Sequence, residues 1–348
     1  EVLSGQAQWL DVLAHVKAMH PETARIVLSA PIEPDMLPRV LEVAHQCIAK
    51  PCGPEQFWKA VERTCLLYGL MSNYAIRALT GGLDRLPSVP RSYVALTRAM
   101  ECPEVSLGEV AAIVERDTAM ATKVLQLVNS AFFSRPRRIS SIPMTVSLLG
   151  LERLRALALS THVFGMLSDT ESKAYGLDQL QERSLLTAEL ARRFLSGGTR
   201  ADEGFTVGLL QDVGKLLLAV CLKDRYRDVI EQARRCHKPV EVVESEQLDV
   251  SHPVVGAYML SVWGLPIPII EAVAFRHAPS GLLHRETELV DAVHVADALA
   301  DAILAGRELE PGTLMLDPIL MLREGMTDKV REWCVSAAGG ARGEVARG

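Results

Sequence analysis

Over most of the chain, apolar positions recur at intervals of three and four, the period of a helix face turned toward a core. In "LGEVAAIVERDTAMATKVLQLVNSAFF", Val110, Ile113 and Val114 share one face, and Met120, Val124, Leu125 and Val128 share the next. Asp117 stands between them, where a short carboxylate can cap the second helix. "SIPMTVSLLGLERLRALALSTHVFGML" is long and apolar, with Pro143 near its start and Gly150 as its break. Further helices are expected near 184–196, 204–223, 252–263, 267–277 and 288–305, with "LPSVP" (Leu86 to Pro90) as a breaker ahead of all of them. His252 opens one of these helices, with Pro253 as its first residue. No strand is expected from about Asn73 onward. The last residues, "AAGGARGEVARG", are small, polar and Gly-rich, and are expected to be disordered.

The first sixty-odd residues obey a different rule. "ARIVLSA" (Ala24 to Ala30) is a short, β-branched apolar run stopped by Pro31, as in a buried parallel strand. Before it, Leu10, Leu13, Val16 and Met19 have helical spacing; after it come a helix, the short run "QCIAKP", and a helix that opens at Pro54. The order helix, strand, helix, strand, helix is part of a doubly wound α/β domain, whose sheet runs to about five strands. "YGLMSNYAIRAL" (Tyr68 to Leu79) is apolar enough for an interdomain linker or a homodimer seam, and both readings stay open.

Composition narrows the class. The 348 residues are 49% hydrophobic but only 5% aromatic, which favours helices packed on helices. The net charge of -6 gives no global pull toward nucleic acid or an anionic membrane. Seven scattered cysteines without a CxxC pair indicate neither a disulfide framework nor a zinc knuckle. No uninterrupted apolar run approaches the roughly 18 residues of a membrane span, and no signal peptide opens the chain. A cytoplasmic protein with no membrane contact is expected.

Seven ordered blocks point to a family: "LPSVP", "IVERDTAMATKVLQLVNSAFF", "RRISSI", "VSLLGLERLRALALS", "GLLQDVGK", "HPVVGAYMLSVWGLP" and "VHVADALA". Together they resemble the HDOD domain, the HD-related output domain of bacterial signalling proteins. The resemblance implies a mainly α protein: an all-helical domain of two helical subdomains with an HD-like C-terminal half. The N-terminal part resembles the second half of a response-regulator receiver domain. There Ser29 falls where receivers keep the switch hydroxyl, and Lys50, before a proline, where they keep the phosphate-contacting lysine. The phospho-accepting aspartate would fall near Glu1, where no Asp stands, so phosphorylation of this chain is not expected. The domain plan is then a partial receiver-like segment over 1–67, a linker helix over 68–84, an HDOD domain over 85–306 and a C-terminal extension over 307–348.

HD-type phosphohydrolases resemble one another in a His, a His-Asp pair and a later Asp converging on divalent ions, which polarise a phosphate and activate water. The resemblance carries the first His onto Arg183 (with Ser184 as the alternative), the pair onto Gln211–Asp212, and the last Asp onto Asp297. His252 and His277 match extra histidines of binuclear relatives, although His277 follows Arg276 where relatives have two histidines. A guanidinium has no lone pair to give, and an amide oxygen is a weak ligand for a transition metal. Arg183 is therefore expected to fill the cation's place and pair with Asp212 or Asp297. No metal or other cofactor is expected; if a divalent ion did bind, Asp212, His252, His277 and Asp297 would hold it. Lys215, which in relatives neutralises phosphate charge, reads here as a scaffold remnant or a surface charge. His294, three residues before Asp297, reads as core packing.

"SRPRRIS" is the densest basic cluster, and Arg135, Arg137 and Arg138 could hold an anion. Without aromatic interleaving it makes a poor nucleic-acid site. The functional expectation is a non-catalytic signalling output module that binds a protein partner, or a nucleotide, through a degenerate HD scaffold. The alternative is a metal-dependent phosphohydrolase acting on a cyclic dinucleotide or nucleotide.

Overall fold

The computed structural model describes residues 8–20, 23, 25–29, 44, 46–54, 57–58, 61, 91–100, 102, 105–129, 139–177, 179–195, 198–263, 265–282 and 288–345. Among the described residues the chain is mainly helical, with two short strands near the N-terminal end.

Helix α1 (Gln8–Met19) precedes two parallel strands, β1 (Ile26–Ser29) and β2 (Gln46–Ala49), which pair in register from Ile26 opposite Gln46 to Ser29 opposite Ala49. Leu10, Val27 and Ala44 form a small core between helix and sheet. The linker proposed for 68–84 lies outside the described residues.

The first helical unit comprises α2 (Arg91–Met100), α3 (Leu107–Glu115), α4 (Thr118–Val128), α5 (Ile142–Leu149) and α6 (Leu151–Phe164). Its ends reflect local chemistry. Ser106 and Glu109 form a reciprocal capping box on α3. The Asp117 carboxylate caps α4 by accepting from the Met120 N–H at 3.0 Å, and its other oxygen accepts from the Ser92 hydroxyl. Gly150, at φ +82°, turns the chain between α5 and α6 where a side chain would be strained. Val110, Val114, Val124 and Val128 are fully buried, as a helix face toward a core requires.

The second unit is larger. It comprises α7 (Asp169–Tyr175), α8 (Leu180–Phe194), α9 (Gly198–Leu210), α10 (Val213–Leu222), α11 (Asp224–Cys236), α12 (Val240–Leu248), α13 (His252–Val262), α14 (Ile267–Phe275) and α15 (Glu288–Leu304). The single helix expected over 204–223 is two, broken at Gln211–Asp212. Gly214, just past the break, lies so close to the His252 carbonyl that a Cβ there would overlap it. This contact seats the start of α10 against the start of α13. The run Gly198–Leu222 is apolar enough to pass for a membrane span by length and composition, yet 83% of its most apolar window is buried inside the protein. Helices α11 and α12 are not foreseen by the hydrophobic pattern, because α11 buries only a narrow stripe of Tyr226, Val229, Ile230 and Ala233.

The extension past Leu304 is part of the same core. Helices α16 (Pro318–Met321) and α17 (Met326–Val345) bring Leu320, Val330, Trp333 and Ala337 into it, with Trp333 stacked on Phe194 at 4.9 Å between ring centroids. The Gly-rich stretch expected to be disordered instead continues α17 to Val345.

Candidate functional site

Six helices converge near the centre of the second unit. Arg183 and Thr187 lie on α8, Gln211 and Asp212 at the α9–α10 break, His252 at the first turn of α13, Arg276 just past α14, and Asp297 on α15. Asp212 starts α10 without capping it, so its carboxylate faces inward.

Two linked charge pairs result. Arg183 Nη2 donates to Asp297 Oδ2 at 2.8 Å, and Gln211 Nε2 donates to Asp297 Oδ1 at 2.7 Å. One turn away, Arg276 Nη2 donates to Asp212 Oδ1 at 2.6 Å and lies 2.6 Å from His252 Nε2, while Nη1 donates to the Gln211 carbonyl at 2.7 Å. Lys215 Nζ adds a second cation on Asp212 Oδ1 at 2.9 Å. Since Arg276 can only donate, His252 Nε2 accepts and its Nδ1–H donates to Glu244 Oε2 at 2.7 Å. Glu244 also receives the Tyr226 hydroxyl and the His252 backbone N–H, each at 2.7 Å. His277 Nε2 stands 3.4 Å from His252 Nε2, and its other nitrogen 4.0 Å from Glu241.

The electrostatics are set by burial first. Burial alone would raise the Asp212 carboxyl, but Lys215, Arg276 and Arg183 overcome it and hold the group well below the usual carboxylate range. Burial and the surrounding cations keep His252 and His277 neutral, well below ordinary histidine. Glu244 moves the other way, raised by burial to about 7 against the hydrogen bonds that favour its charge. Asp297 raises Arg183 further, so that guanidinium stays charged at every accessible pH.

The sequence profile of the HDOD domain matches residues 86–279, more than half of the chain. The chain belongs to the HDOD family. The HDOD fold is shared with a solved HDOD domain protein of unknown function from Geobacter sulfurreducens. That structure is 21% identical, with 79% of this chain and 98% of that one covered and a TM-score of 0.59. A Shewanella amazonensis protein, a phosphohydrolase by provisional name, superposes with a TM-score of 0.52 at 21% identity, over 78% of this chain and 98% of that one. A Treponema pallidum (strain Nichols) protein described as uncharacterized is 28% identical over 196 residues, 56% of this chain. The match spans only 38% of that relative's length.

The divalent ion of HD-type relatives can be tested against the residues of this HDOD domain. Arg276 Nη2 sits within 2.6 Å of both Asp212 Oδ1 and His252 Nε2, so a fixed cation already holds the point where those two groups would share an ion. Arg183 covers Asp297 in the same way. Two unit charges about 4 Å apart repel by roughly 4 kcal/mol at an effective dielectric of 20, and a divalent ion doubles that for each arginine. The donor set does not fit a metal, and among the described residues no group of three or more His, Cys, Asp and Glu could hold one.

Several sequence expectations change here. Arg183 takes Asp297, one of the two partners expected for it, while the residue paired with Asp212 is Arg276; the end of α14 turns inward, which spacing does not reveal. Lys215 is no surface charge: it is 8% exposed and bound to Asp212. His294 holds two backbone groups, donating from Nδ1 to the Arg276 carbonyl at 2.6 Å and accepting the Asp317 N–H at Nε2 at 2.9 Å. Glu244 and Tyr226 lie on α12 and α11, so sequence reading missed them. The clue available was the dipeptide Arg276–His277, which named a substitution without its new role. Ser29 ends β1, and the Lys50 N–H donates to its carbonyl at 2.7 Å, far in sequence from this cluster. Arg135, Arg137 and Arg138 lie outside the described residues.

Proposed function

We propose that the chain is a non-catalytic signalling output module of a response-regulator-type protein, whose degenerate HD scaffold acts by binding a signalling protein. In this reading residues 1–67 are the receiver-like part, with Ser29 and Lys50 as remnants of its switch. Residues 68–84 are a linker, and 85–306 with the packed extension are the output domain. The location is cytoplasmic. The observation that carries the reading is Arg276, a buried guanidinium bonded at once to Asp212, to His252 and to the backbone of Gln211. A guanidinium engaged through both terminal nitrogens works as a strut that keeps the cleft closed to an ion.

One observation favours the alternative of a metal-dependent phosphohydrolase, the activity that the name of the Shewanella amazonensis protein suggests. Among the described residues, Asp212 Oδ2 and Gln211 Oε1 are buried acceptors without a donor, and Glu244 supports His252 as carboxylates support metal-bound imidazoles. The test is elemental mass spectrometry on protein purified without chelator or nickel, with turnover of bis(p-nitrophenyl) phosphate in manganese. The proposal expects substoichiometric metal and no turnover. Stoichiometric metal, with turnover abolished in Asp212→Ala, would establish the hydrolase instead.

A further inference from the structure

A cleft of about 640 Å³ opens beside the charge cluster, between the start of α8, α11 and the end of α15. Its volume lies within the roughly 300–1,000 Å³ range of small-molecule sites. Its chemistry is one-sided. Arg183 and Lys215 form the inner end, and Arg234, His237 and Lys238 stand at the mouth. The one carboxylate in the lining, Asp301, is engaged by Arg307. Between inner end and mouth the wall is apolar, built from Leu180, Ile230 and Leu304.

The cations differ in how freely they could serve a ligand. Arg234 lies over Gly176, whose φ of +64° and missing Cβ leave room for the guanidinium, and it forms no ion pair among the described residues. Lys238 pairs with Glu246 at 2.7 Å, but both side chains are nearly half exposed, and such pairs exchange partners at little cost. Arg183 commits Nη2 to Asp297 and, with its side chain 25% exposed, keeps further donors toward the cleft. A planar guanidinium at each end of an apolar wall suits a ligand with a charged and an uncharged part.

We propose that this cleft binds a phosphate-bearing ligand of mononucleotide size, the phosphate held at the mouth by Arg234 and Lys238, and the base against Leu180, Ile230 and Leu304. The proposal rests on the non-catalytic reading, because a ligand beside a metal-free scaffold is bound and released intact.

The test is isothermal titration of the full chain with AMP and GMP, with adenosine and inorganic phosphate as controls and with the products analysed afterwards. The expected result is binding of a nucleoside monophosphate, weaker binding of phosphate and none of adenosine. Arg234→Ala and Lys238→Ala should each weaken binding roughly tenfold, as loss of a charge-assisted hydrogen bond does, while leaving thermal unfolding unchanged. No binding, binding of phosphate alone, or binding indifferent to both substitutions overturns the assignment and leaves the non-catalytic reading standing. Binding followed by hydrolysis of the nucleotide overturns the non-catalytic reading and leaves the cleft assignment standing.

Discussion

The two helical units use the same kind of amphipathic helix and bury opposite things. In the described part of the first unit no charged side chain is buried, and its buried polar groups are the hydroxyls of Thr145, Ser160 and Thr161. The second unit buries Asp212, Lys215, Glu244, His252, Arg276, His294 and Asp297 among its leucines and valines. An apolar core tolerates substitution in proportion to the volume lost. A charge cluster tolerates it according to what is left unpaired. The second unit is therefore stable only as a set of partners, while the first is stable residue by residue.

The largest effect should come from breaking one partner. Arg276→Met would leave Asp212 buried with one cation fewer and the Gln211 carbonyl unpaired, and should cost about 3–5 kcal/mol in urea unfolding. Leu157→Ala, in the first unit and fully buried, should cost about 2–4 kcal/mol through its cavity alone. The contrast sharpens in Asp212→Asn/Arg276→Met, which should lose clearly less than the sum of its single variants because the charge has gone from both sides. Additive losses would mean that the pair is not coupled.

The next effect is in pH. His252 and His277 titrate lower in the folded chain than in the unfolded one, so the stability they contribute at neutral pH is lost as pH falls below the ordinary histidine value of about 6.5. Glu244 is raised to about 7, so its contribution is full below the ordinary glutamate range and is lost as pH rises through 7. Between pH 7 and pH 5 the two trends oppose each other. In Glu244→Gln the opposing one is gone, and stability should fall more steeply over that interval, by about 2 kcal/mol more than in the unaltered chain. Parallel curves would show that Glu244 keeps its charge. Leu157→Ala should shift the whole curve without changing its slope.

The smallest effect is at the surface. Lys238→Ala removes an exposed pair with Glu246 and should leave the urea midpoint unchanged. A lower midpoint would mean that the charged partnership extends from the interior to the cleft mouth.

Sequence reading reached four of the first unit's five described helices, because Val110, Val114, Val124 and Val128 announce a face and Asp117 and Gly150 announce ends; α2 was not expected. It was weaker where charge does structural work. The pattern of α11 is mostly polar, so neither it nor α12 was foreseen, and Glu244 and Tyr226 went unseen with them. Gln211, Asp212 and Asp297 were found because the family blocks place them, and Arg183 because the resemblance carries the first His onto it. Arg276 was read only as an obstacle to a metal. Its role depends on the end of α14 turning toward the α9–α10 break, a tertiary fact that no spacing encodes.

His294 has a practical consequence. Its ring joins the Arg276 carbonyl to the Asp317 N–H, and Trp333 lies stacked on Phe194, so the segment beyond α15 braces the charged centre. A fragment cut where the family match stops, at residue 279, would lose that brace together with α15 and Asp297. One cut at 306 would keep Asp297 and still strip the donor from His294. Only a piece that runs past Ala337 keeps every residue that the extension packs into the core, so the family match alone is a poor guide to where to cut.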